Sequence, residues 1–166
     1  RNKYYGEYSG ITWNCGTLFD TNRARGREKI AMIAHWLRSK ADFITVQEAH
    51  VTNNRAAYLR QQLANSDAAV FWSADRHKPT STGGILLIVR KSFLGQFEYQ
   101  EELRNSSTSP NYTGGIDSTQ GHAIGLRLQS RLKGDLDIWA VYAPSSEEKS
   151  GTGSGLRSPA SCVRTH

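Results

Sequence analysis

The chain has 166 residues, enough for one domain with a core of its own, and its 37% hydrophobic, 22% charged and 10% aromatic content fits a soluble globular protein. No apolar run approaches the roughly 20 residues that a membrane span needs, and the opening Arg1-Asn2-Lys3-Tyr4-Tyr5 leads into no apolar signal-peptide core. A net charge of +6 and a pI near 9.5 point to an anionic partner, with DNA or RNA first among them.

Residues 1–10 are polar and tyrosine-rich and read as a leader into the first strand. That strand, Ile11-Thr12-Trp13, stops abruptly in Asn14-Cys15-Gly16. From Gly26 to Lys40 the apolar residues Ile30, Ile33, Ala34 and Leu37 recur at i, i+3, i+4 and i+7, the period of a helix with one buried side. Phe43 to Val46 is too short and too β-branched for a helix and reads as a buried strand, ending in Gln47-Glu48-Ala49-His50. A helix-length crossover between two strands makes them parallel neighbours, so Asn14 and Glu48 are expected side by side at the carboxyl ends, where such sheets collect their chemistry.

A second helix is expected from Asn53 to Asn65, capped by Asn53 or Asn54. Strands follow at Ala68 to Ser73, Ile85 to Arg90, Phe97 to Glu101, His122 to Leu128 and Leu136 to Ala143. Hairpin-type turns at Lys78 to Gly84 and Lys133 to Asp135 make this half antiparallel or mixed. Asn105 to Gly121 is a long Ser-, Thr-, Asn- and Gly-rich loop of the kind that is functional or mobile. Ser145 to His166 is Ser- and Gly-rich and is expected to be disordered. Cys15 and Cys162 make no disulfide framework and read as reduced thiols, which favours an intracellular, and with the basic charge a nuclear, setting. With Met32 as its only methionine, the chain reads as a fragment or a processed piece.

Four stretches then fall in a telling order: Thr12-Trp13-Asn14-Cys15-Gly16, Val46-Gln47-Glu48, Gly83-Gly84-Ile85-Leu86-Leu87 and Val141-Tyr142-Ala143-Pro144. Together they resemble the motifs of the endonuclease/exonuclease/phosphatase superfamily. The wording Trp-Asn-Cys-Gly and Gln-Glu-Ala-His is most similar to the endonuclease domains of non-LTR retrotransposons. The likeness runs from about Thr12 to Ser146 and corresponds to the first half or so of a complete domain. It implies the amino-terminal part of a four-layer α/β sandwich: residues 11–144 forming a mixed sheet with two helices on one face, the second half missing. It also implies hydrolysis of a nucleic-acid phosphodiester with Mg²⁺, or Mn²⁺ in its place.

Residue by residue, the resemblance makes Glu48 the metal ligand, Asn14 the side chain that positions the ion's waters or the phosphate, and Tyr142 a neighbour of the scissile phosphate. A core aromatic with its hydroxyl bonded to a neighbour is the plainer reading of Tyr142. His50 falls at the rim. His122 follows Gly121 where many relatives carry Arg for a phosphate contact. Arg23, Arg25 and Arg27 precede the first helix, where the macrodipole disfavours cations, and are either a phosphate grip or a solvated loop.

The family completes its site with a later Gly-Asp-x-Asn motif and a terminal Ser-Asp-His motif. Gly134-Asp135-Leu136-Asp137 lacks the Asn and precedes the tyrosine strand, and Asp75-Arg76-His77 is split by its arginine. In-line attack is left without an evident base, so the chain is expected to be weak or inactive. The rival functions are an inactive nucleic-acid-binding remnant and a phosphatase of the same superfamily. One structural expectation follows as well. Ile85 to Val89 and Ile138 to Val141 are apolar at every position and need cover on both faces. Two helices cover only one, so Leu87 and Val89 are expected on an exposed face that drives self-association or awaits a carboxyl-terminal half.

Overall fold

Successive side chains of a strand point to opposite faces, so the run Ile85-Leu86-Leu87-Ile88-Val89 is at home only between two apolar layers. The computed structural model, which describes residues 2–104, 121–142 and 161–165, supplies both. β1 (Gly10–Asn14), β2 (Phe43–Gln47), β3 (Ala68–Ser73) and β4 (Ile85–Arg90) form one sheet in the order β1-β2-β4-β3. β1 and β2 run parallel with Asn14 opposite Gln47, and β4 runs antiparallel to both of its neighbours. The mixed sheet is present, and its register sets Asn14 opposite Gln47, the residue before Glu48.

One face of this sheet carries two helices, α1 (Arg23–Ser39) and α2 (Asn53–Gln62). Ile33, Leu37, Ala56 and Leu59 pack there on Ile44, Val46, Val70, Leu86 and Ile88. The start of α1 lies three residues earlier than the apolar period suggests. Asn22 sets it, its side-chain oxygen accepting from the N–H groups of Ala24 and Arg25. Similarly Thr52, and not Asn53 or Asn54, caps α2 by accepting from the Arg55 N–H.

The other face is covered too, and here the expectation of a bare apolar surface is wrong. β5 (Tyr99–Leu103), β6 (Ala123–Ser130), β7 (Gly134–Tyr142) and β8 (Ser161–Thr165) form a second, antiparallel sheet in chain order. Its inward residues Ile124, Leu126, Leu128, Leu136, Ile138 and Ala140 meet Phe43, Ile85, Leu87 and Val89. Leu87 and Val89 are 0% exposed. The later strands do not extend the first sheet but fold over it, turning at the short helix α3 (Lys91–Leu94), where Phe93 and Phe97 meet edge to face. Helix, sheet and sheet stack as an α/β sandwich.

Both chain ends also depart from the reading of the sequence. Within the expected leader Tyr4 is buried, its ring 5.3 Å from that of Phe97 in the inter-sheet core. Asn2 and Tyr4 exchange backbone hydrogen bonds with Asp135, and Gly134, at φ +84°, lets the chain come this close. A Cβ there would sit 2.3 Å from the Lys3 carbonyl oxygen. At the other end, Ser161–Thr165 pairs along the edge of β7 where disorder was expected. Such pairing uses backbone groups, which any sequence carries, so composition is a poor guide to it. The remainder of the Ser- and Gly-rich tail and the long loop before residue 121 lie outside the described residues.

If β4 is sandwiched on both sides, truncating either face costs alike. Leu87→Ala and Ile88→Ala are each expected to destabilise the protein by about 2–5 kcal/mol in chemical denaturation. A loss confined to Ile88→Ala would mean that the second sheet does not cover the first.

Candidate functional site

At the carboxyl end of β2 the backbone leaves the sheet in an unusual way. Glu48 has φ +56° and His50 φ +52°, left-handed conformations that cost a non-glycine residue roughly 1–2 kcal/mol each. The surroundings hold them there. The Thr17 N–H donates to the Glu48 carbonyl at 2.8 Å, and the N–H groups of Ala49 and His50 donate to the carbonyls of Gly84 and Gly83 at 3.0 Å. Arg55 donates to the His50 carbonyl at 2.7 Å. Gly84 itself has φ +81°, and a Cβ on it would lie 3.0 Å from the Val51 nitrogen, so the glycine-led start of β4 is what allows the two turns to nest.

The Glu48 side chain reaches across to the second sheet. The Tyr142 hydroxyl, at the end of β7, donates to Glu48 Oε1. Glu48 Oε2 lies 3.6 Å from His50 Nε2. Burial pushes the Tyr142 phenol up to about 12, reinforced by the hydrogen bond to Glu48 and by its charge, so the phenol remains a donor at neutral pH. Glu48 is partly open to solvent, its side chain 28% exposed.

Around this pair the other sequence-derived residues take varied places. Asn14 is exposed at the end of β1, its side-chain oxygen accepting from the Gly16 N–H at 3.2 Å. Gln47 donates to the hydroxyls of Thr12 and Thr45 at 2.8 and 3.2 Å, while its Oε1 is buried with no partner among the described residues. His122 lies half-buried with its ring 6.3 Å from that of Tyr142. Cys15 is structural in character. Burial pushes its thiol up to about 12, against the pull of the Lys29 charge, and Lys29 itself ties down the loop by donating to the carbonyls of Cys15 and Thr17.

Arg23, Arg25 and Arg27 belong to the first turns of α1 and not to a loop before it. Arg23 and Arg27, one turn apart, line a cleft of about 630 Å³ with Leu18, Phe19, Asp20 and Tyr58, and Arg25 is not among the lining residues. The cleft shares no residue with the Glu48 site.

Two contributors escape the motif reading. His50, expected at the rim, has its Nε2 buried beside Glu48, and the only hint in the sequence is its place two residues after the carboxylate. Asp75 is drawn in by Gly121, whose φ of +74° lets it pack on the Ala74–Asp75 backbone, where a Cβ would stand 2.6 Å from the Asp75 nitrogen. Burial works against ionisation of Asp75. The N–H groups of Lys78 and His77 and the rings of His77 and His122 outweigh it and hold the carboxyl below its usual range. No signal in the sequence pairs Asp75 with His122. Among the described residues no group of three or more His, Cys, Asp or Glu is gathered tightly enough to hold a metal by itself.

No model of a protein family matches the chain, and no curated protein matches it. Among solved structures, that of the AP endonuclease LMAP from Leishmania major is similar, with a TM-score of 0.56 and 16% identity over 81% of this chain. The chain spans 40% of the length of that enzyme. At this identity the likeness is one of fold, and the α/β sandwich is shared.

Two measurements check this geometry. Because the Tyr142 phenol is raised in the fold from 10.0 to about 12, the stability it contributes is complete below pH 10 and fades as pH climbs toward 12. The stability difference between wild type and Tyr142→Phe is therefore expected to be flat up to pH 10 and to shrink above it; a difference that grows there would contradict the hydrogen bond. Iodoacetamide labelling followed by peptide mapping is expected to leave Cys15 unmodified at neutral pH until denaturant is added.

Proposed function

We propose that the chain carries part of the catalytic surface of a divalent-metal-dependent endonuclease that hydrolyses phosphodiester bonds in DNA or RNA. The observation that carries this reading is the contact between Glu48 and Tyr142, which joins the carboxyl ends of two strands from two different sheets at a point where the backbone is held in a costly conformation. A packing role alone gives no reason for a half-exposed carboxylate on two left-handed turns. The likeness in fold to an AP endonuclease supports the same class of chemistry.

The donors fit a hard cation that keeps most of its water, since such an ion needs only one or two carboxylates. Glu48 offers Oε2, the oxygen that Tyr142 does not engage. A Mg²⁺ or Mn²⁺ ion bound there would offset charge on the phosphate and ready a water for attack. Tyr142 fixes the rotamer of Glu48 and keeps its proton for hydrogen bonding. Asn14, exposed at the end of β1 opposite Gln47, would orient a phosphate or a hydrating water, and His122, with Asp75 in electrostatic range, contributes an imidazole near Tyr142. Arg23 and Arg27 in their cleft contribute charge toward a nucleic-acid backbone. Closer kinship with the endonucleases of non-LTR retrotransposons, and a nuclear setting, are finer forms of this proposal that rest on the motif wording and the basic charge.

A second reading is binding without cleavage. It is favoured by the donor count, one motif carboxylate and no group of three or more potential metal ligands among the described residues. Nicking of supercoiled plasmid with Mg²⁺ or Mn²⁺ separates the two. Cleavage by wild type that falls at least a hundredfold in Glu48→Gln is the outcome expected of the endonuclease, by analogy with the cost of removing a charged group that acts in the transition state. Binding without nicking would leave the second reading in force.

The charge contribution has its own check. Filter binding across salt concentrations is expected to show a logarithmic slope shallower by about 0.9 for each phosphate contact removed, so that Arg23→Ala/Arg27→Ala differs from wild type by nearly 2. Arg25→Ala is expected to change the slope less.

A further inference from the structure

We infer that His50 is a nitrogen ligand, paired with Glu48 Oε2, and that it biases the site toward Mn²⁺ over Mg²⁺; the inference rests on the metal-dependent reading of Glu48. Three observations converge on the imidazole. First, Nε2 is buried and has no hydrogen-bond partner among the described residues, a costly state for a polar ring atom. Second, Glu48 Oε2 stands 3.6 Å from it, beyond hydrogen-bond reach. Third, the main chain that carries the ring is fixed in place, which sets the direction of its Cα–Cβ bond toward the Glu48 turn. The His50 N–H is bonded to Gly83, its carbonyl accepts from Arg55, and its φ is held at +52° between the buried residues Ala49 and Val51.

The imidazole nitrogen lacks a partner among the described residues, the carboxylate oxygen 3.6 Å away is partly open to solvent, and a cation between them would engage both. The other oxygen of Glu48 is already occupied by the Tyr142 hydroxyl, which leaves Oε2 as the oxygen available to that cation. The chemistry of the pair also sets its preference. Mg²⁺ takes oxygen donors and parts reluctantly with water, whereas imidazole nitrogen suits first-row transition metals. The spacing Glu48-Ala49-His50 places both donors on one short turn in which both residues adopt the left-handed conformation. This gives the backbone strain at two nearby residues a common purpose.

The test uses the whole chain, Mn²⁺ and Mg²⁺, and three proteins: wild type, His50→Asn and Glu48→Gln. Asn tolerates a positive φ much as His does, so His50→Asn removes the ring while sparing the turn, and unchanged circular dichroism and unfolding temperature confirm it. Pulsed EPR of the Mn²⁺ complex is expected to show coupling to an imidazole nitrogen in wild type and none in His50→Asn. Calorimetry is expected to show Mn²⁺ affinity falling on the order of tenfold in His50→Asn with Mg²⁺ affinity little changed, and both falling in Glu48→Gln. Mn²⁺ binding that depends on Glu48, lacks nitrogen coupling in wild type and survives His50→Asn would overturn the role of His50 and leave the Glu48 reading standing. Metal binding indifferent to Glu48→Gln would overturn both.

Discussion

The structure depends on a strand that tolerates water on neither side. β4 is apolar at five consecutive positions, and Leu87 and Ile88, on opposite faces, are each fully buried. Each such side chain contributes about 1.5–3 kcal/mol when removed from water, so leaving one face bare would forfeit several residues' worth. Two helices take one face, and the chain has to find a second layer for the other. It does so by folding the second sheet over β4, with Phe43, Phe93 and Phe97 joining the core between the sheets.

That same stacking creates the site. A single sheet would place Asn14 and Glu48 side by side at one edge and stop there. Laying a second sheet across the first brings the end of β7 over the end of β2, and Tyr142 thereby meets Glu48 although 94 positions separate them in the chain. The contact is made where both sheets end, at a solvent boundary, so the carboxylate stays partly open while the phenol is buried. Apolar packing between the sheets, to which the Tyr142 ring itself belongs, therefore sets where its hydroxyl meets the Glu48 carboxylate.

Backbone strain marks the same place. Glu48 and His50 sit in conformations that most residues avoid, and the bonds that enforce them come from three separate segments: Thr17 after β1, Gly83 and Gly84 before β4, and Arg55 in α2. None of these is a neighbour in sequence. The glycines matter by their lack of a side chain, and Gly121 acts in the same way, packing on Asp75 and Gly84, with Asp75 and His122 within electrostatic range.

Much of this was legible in the residues alone, for reasons that are local. The 3.6-residue period of Ile30, Ile33 and Leu37 marks α1, the β-branched run at Phe43 to Val46 marks β2, and the helix between β1 and β2 makes them parallel, which sets Asn14 beside Glu48. The motif order identified Glu48 and Tyr142 as residues to watch. What the sequence could not decide is which sheet a strand joins. β6 and β7 carry the same apolar pattern whether they extend the first sheet or cover it, and only the burial gained by the whole chain chooses between them; that is why Leu87 and Val89 were misplaced. The cap at Asn22, the pairing of residues 161–165 with β7 and the buried nitrogen of His50 belong to the same class, since each depends on backbone or side-chain partners brought from elsewhere in the chain. Sequence determined the elements and the chemistry they carry; tertiary packing decided which of those groups would touch, because contact between distant residues follows from the burial of all the others.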